Sequence, residues 1–101
     1  MQTIDNKTEC RTPTSGKSST WILSWKFDLI RENILKILEL GSEGVLFKDL
    51  PEKVIDEIDD KQVNEIGSIS WHTTKVKLEL EVRGEIERIP ESKPQRLRIK
   101  S

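Results

Sequence analysis

The chain has 101 residues, 35% of them charged and 34% hydrophobic, with a formal net charge of −1. A chain this long supports one core and no second domain, and so small a net charge gives no overall pull toward nucleic acid. The single cysteine, Cys10, excludes an internal disulfide, no run approaches the roughly 18 apolar residues of a membrane span, and Met1–Ser19 has no apolar signal core. A soluble protein in the reducing cytoplasm is expected.

Charge is uneven along the chain. Residues 1–23 hold three bases and two acids, residues 24–67 six bases and eleven acids, and residues 68–101 eight bases and five acids, or +1, −5 and +3. Such asymmetry can orient a molecule on an anionic partner even when its total charge is near zero.

In chain order, residues 1–22 have too few apolar side chains to offset the entropy of ordering, and are expected to form a flexible arm ahead of a domain at 23–101. Trp21, Ile22, Leu23 and Trp25 add more apolar surface than one helix entrance needs, and serve either to cover the core or as a homodimer contact. Ser24 is a candidate cap for a helix to Leu40, in which Phe27, Ile30, Ile34, Ile37 and Leu38 recur at helical spacing before Gly41. Val45–Phe47 suits a short edge strand, and a second helix starts near Lys48, with Pro51 in its first turn and Leu50, Val54, Ile55 and Ile58 on its apolar face. Residues 59–68 are expected to be a polar connection.

In the next segment, Val76, Leu78, Leu80 and Val82 alternate with charged residues as in a strand. Helix is nonetheless favoured over 70–83, because Lys, Leu, Glu and Arg form helices well, Ser70 is a fair cap, Gly84 follows, and Lys75 and Glu79 lie at i, i+4. Beyond Gly84, Glu85–Ile89 and Gln95–Ile99 alternate about a proline-bounded loop and predict a hairpin. The order is helix, short strand, helix, helix and two strands: an α+β fold of the winged helix-turn-helix kind.

Gly67-Ser68, Trp71, Thr73-Thr74, Val76-Lys77-Leu78, Leu80-Glu81, Arg83-Gly84, Ile86, Arg88 and Pro94–Arg98 resemble a prokaryotic family of small winged-helix proteins, over about residues 26–100. Leu80–Arg88 is similar to the junction of recognition helix and wing in many winged-helix regulators. The resemblance implies double-stranded DNA as partner, with the helix in the major groove and the wing beside the backbone. The long connection before that helix departs from the pattern, as does the lack of a further terminal helix for dimerisation.

On a helical wheel, Ile69, Thr73, Val76 and Leu80 form one stripe and Trp71, Leu78 and Val82 another, and both are expected to be buried. The arc holding Ser70, Thr74, Lys77 and Glu81 is then left open. Ser70, Thr73, Thr74 and Lys77 are the candidate groove contacts, and Lys93, Arg96, Arg98 and Lys100 a basic comb for phosphate. The same cations could simply guard an edge strand from aggregation. His72 is expected to be a core or capping histidine, and the carboxylates at 56–57 and 59–60 a solvated helix end, so no metal or cofactor is expected. With no nucleophile set or phosphate loop, the expected function is a DNA-binding transcription regulator, not an enzyme. The alternative is a winged helix used for protein contact alone.

Overall fold

The computed structural model describes residues 3, 4, 6–14, 16 and 18–100. They form an α+β domain of four α-helices and two three-stranded antiparallel sheets. The first sheet is β1 (Thr3–Ile4), β2 (Lys7–Cys10) and β3 (Thr20–Leu23), in that order; the second has the order β4 (Val45–Leu46), β6 (Arg96–Ile99), β5 (Ile86–Arg88). The helices are α1 (Ser24–Leu40), α2 (Leu50–Glu57), α3 (Asp60–Ile66) and α4 (Ile69–Arg83), with a 3-10 turn at Phe47–Asp49 before α2.

The expected flexible arm is corrected over much of its length. Lys7–Cys10 pairs with Thr20–Leu23, and alternation turns Thr8, Cys10 and Ile22 onto α1 and α4, with Cys10 and Ile22 only 1% and 3% exposed. The arm is short of apolar residues, but two are enough when the hairpin lies across a groove between helices. The ordered unit therefore begins well before residue 23; Met1, Gln2, Asp5, Ser15 and Lys17 lie outside the described residues.

Helix α1 matches its expected span, yet Ser24 does not cap it: its Oγ lies 2.8 Å from Thr8 Oγ1 and so ties the helix to β2. Gly41 ends the helix at φ −98°, outside the left-handed region, and is required for space, since a Cβ there would lie 2.6 Å from Val45 Cγ2. The polar connection at 59–68 contains α3, started by a reciprocal cap in which Asp59 accepts from the Gln62 amide at 2.7 Å and Gln62 from the Asp59 amide at 3.1 Å.

Residues 69–83 are helical, started by Ser68, whose Oγ accepts from the Trp71 amide, and ended by Gly84 at φ 76°. A period of two within a helix yields two opposed i, i+4 pairs: Val76 and Leu80 enter the core while Leu78 and Val82 face outward, half-buried. Helix α4 packs against α1, α2, α3, β2 and β5, and the core around it includes Phe27, Ile30, Ile34, Leu50, Val54 and Leu97.

Candidate macromolecular interface

The structure separates the expected groove contacts on α4. Ser70 is exposed and Thr74 half-buried, but Thr73 is fully buried and Lys77 is 2% exposed. The aliphatic stem of Lys77 runs inward, its Nζ lies 2.8 Å from Glu81 Oε2 and 4.5 Å from the centre of the Phe47 ring, and burial pushes its pKa down. Glu81, itself largely buried, is also gripped by Arg88 Nε at 2.6 Å. The arc predicted to be open is thus closed at Lys77 and Glu81 by the turn at 47–49 and by β5 while Ser70 stays exposed, and Thr73 and Lys77 are corrected to interior positions.

The opposite side of α4 carries a second buried charge. Arg11 donates to Glu79 from its amide at 2.8 Å, from Nε at 3.0 Å and from Nη2 at 2.7 Å, and Arg83 Nε donates at 2.8 Å. Burial acts to raise the Glu79 pKa, but the arginine and amide donors outweigh it and hold the carboxyl below its ordinary value. Arg11 and Glu79 stand 68 positions apart, so no spacing rule flags the pair.

What α4 leaves outward is the stripe expected to be buried: Trp71, 44% exposed, with half-buried Leu78 and Val82. Lys75 Nζ stands 5.9 Å from the Trp71 ring centre. The helical wheel held this signal, since a stripe opposite to Val76 and Leu80 cannot share their core. His72 is half-buried and caps no helix end: its Nδ1 lies 2.7 Å from the Ser68 carbonyl, which already accepts the His72 amide, and the ring meets Trp71 edge-on at 4.9 Å.

Arg96 and Arg98 lie on β6, with Lys100 just beyond its end and Lys93 in the loop before it. Register places Arg96 beside Leu46 and Arg98 beside Glu87 on the face opposite Leu97, and Lys100 follows the same alternation. Arg98 Nε is held by Glu87 at 2.7 Å, and Arg96 Nη1 contacts the Gly44 carbonyl at 3.4 Å. Lys93, Arg96 and Lys100 are exposed and make no ion pair among the described residues.

Of the candidate dimer contacts, Trp21, Leu23 and Trp25 are 41%, 38% and 45% exposed, whereas Ile22 is corrected to the core. A groove of about 560 Å3 between α1 and β6 is lined by Leu35, Leu38 and Ile99, with Glu39 and Glu85 near Arg98. Among the described residues, no group of three His, Cys, Asp or Glu could hold a metal ion, and no helix is long and apolar enough to cross a membrane.

These features define a small α+β domain with bases on its second sheet and exposed tryptophans on β3, α1 and α4. The chain belongs to a family of unknown function (DUF6958), matched over residues 7–97, a span that takes in β2 and β3. No curated protein and no solved structure matches it.

Proposed function

We propose that the chain is a winged-helix module, with α1, α2 and α4 as its three principal helices and β5–β6 as its wing, that binds another protein and carries no catalytic site. The observation that carries this is the burial of Lys77 against Glu81 and Phe47, with Trp71, Leu78 and Val82 turned outward instead. A helix that enters the major groove needs polar and cationic groups on its free face; here that face is largely apolar, which suits protein contact. Two of the three cations of α4, Lys77 and Arg83, are engaged by Glu81 and Glu79.

A second reading, binding of double-stranded DNA as a regulator, is favoured by Lys93, Arg96 and Lys100 on the wing. A salt-titrated shift assay with random duplex separates the two. Protein contact predicts no shift at about 50 to 200 mM salt. A complex whose log K falls with log salt at a slope of roughly −3, and which is lost on joint replacement of Lys93, Arg96 and Lys100 by Ala, would put DNA binding in its place.

A further inference from the structure

We infer that the protein partner is a second copy of this chain, docked through the outer face of the β2–β3 hairpin; this rests on the protein-contact reading above. Alternation leaves the hairpin apolar on both sides: Cys10 and Ile22 supply the core, while Trp21 and Leu23 face solvent beside Trp25 in the first turn of α1. The core needs only the inner set, so the outer set is left over for contact.

The charges on that face select the partner. Register places Lys7 beside Leu23 and Glu9 beside Trp21, which makes the face a rectangle with one cation, one anion and two large apolar side chains. A two-fold axis lying in the contact plane and perpendicular to the strands sets two such faces antiparallel. Lys7 then meets Glu9 of the other copy, Glu9 meets its Lys7, and each Trp21 covers the opposite Leu23. The pattern is self-complementary, as an isologous contact requires. Neither Lys7 nor Glu9 makes an ion pair among the described residues, and Glu9 is steadied by Ser19 Oγ at 2.7 Å.

The apolar part is small. Three side chains exposed to this degree present on the order of 300 Å² per copy, against about 800 Å² in a standard interface. The dimer is accordingly a weak one.

Sedimentation equilibrium of the full chain at about 10 to 500 μM tests this. The wild type should dimerise, Trp21→Ser should abolish it, and Lys7→Glu or Glu9→Lys alone should weaken it roughly tenfold. The double variant Lys7→Glu/Glu9→Lys, which restores the pattern with signs exchanged, should recover wild-type association. Unchanged thermal midpoints serve as the folding control, because all these side chains point away from the core. A monomer over the whole range overturns the inference, as does a dimer that tolerates either single reversal. The duplex assay examines the underlying reading separately, so a monomer that also fails to shift DNA removes the second copy as partner and leaves protein contact standing.

Discussion

Glu79 and Lys77 lie on the same helix, each sealed from water with an opposite charge, yet removing them should have different consequences. Glu79 receives donors from both Arg11 and Arg83, so Glu79→Ala should cost about 2 to 3 kcal/mol in urea unfolding. Its carboxyl is depressed below the ordinary value of 4.5, so its contribution to stability is complete above pH 4.5 and is lost as pH falls through the folded value. Acid unfolding followed by circular dichroism should therefore be shallower for Glu79→Gln than for the wild type. Lys77 is different because Arg88 also holds Glu81. Lys77→Met keeps the packed stem and should lie within about 1 kcal/mol of wild type, whereas Lys77→Ala should lose about 2 to 3 kcal/mol.

At the scale of elements, the spans of α1, α4 and the β5–β6 hairpin were legible from different signals: helical apolar spacing in α1, helix-forming residues and Gly84 in α4 despite a strand-like alternation, and alternation about a proline-bounded loop in the hairpin. The N-terminal hairpin was not, because its inner apolar residues Cys10 and Ile22 are separated by a polar loop and gain their value only from α1 and α4. Helix α3 was legible in principle, since Asp59 and Gln62 have capping-box spacing. The candidate site was read least well: the sequence shows which residues share an arc, but which arc is covered depends on where the turn at 47–49 and the hairpin dock. Deleting residues 1–19 should lower the thermal midpoint by more than about 10 °C in calorimetry, since Glu79 loses a partner and Ile22 its cover. The substitution Ser68→Ala, which removes the α4 cap, should cost about 1 kcal/mol.

Across the whole molecule, the bases among the described residues that make no ion pair are spread over several elements: Lys26 on α1, Lys53 on α2 and Lys61 on α3 as well as Lys93, Arg96 and Lys100 in and beside the second sheet. The pairs that hold the fold, Arg11–Glu79 and Lys77–Glu81, each have at least one side chain sealed from water. Salt screens exposed charges much more than buried ones. Stability measured in urea should consequently change by less than about 1 kcal/mol between 0.05 and 0.5 M sodium chloride, while any association through Lys7 and Glu9 should weaken over the same range.

The position of Cys10 on the inner face of the hairpin makes it a clock. Burial first, and Glu79 second, push its thiol up to about 12, and it is 1% exposed, so the native molecule presents almost no thiolate to an alkylating reagent. Reaction must wait for the hairpin to lift from α1 and α4. The labelling rate, divided by that of an unfolded control, then reports the fraction of molecules with the hairpin open. Glu79→Gln, which loosens the strap from Arg11, should accelerate labelling at least tenfold without unfolding the helices, whereas Ser68→Ala, which acts elsewhere, should leave it nearly unchanged. Acceleration of each variant in proportion to its own loss of global stability would mean that the thiol is released only by global unfolding, and that the hairpin and the helices come apart as one cooperative unit.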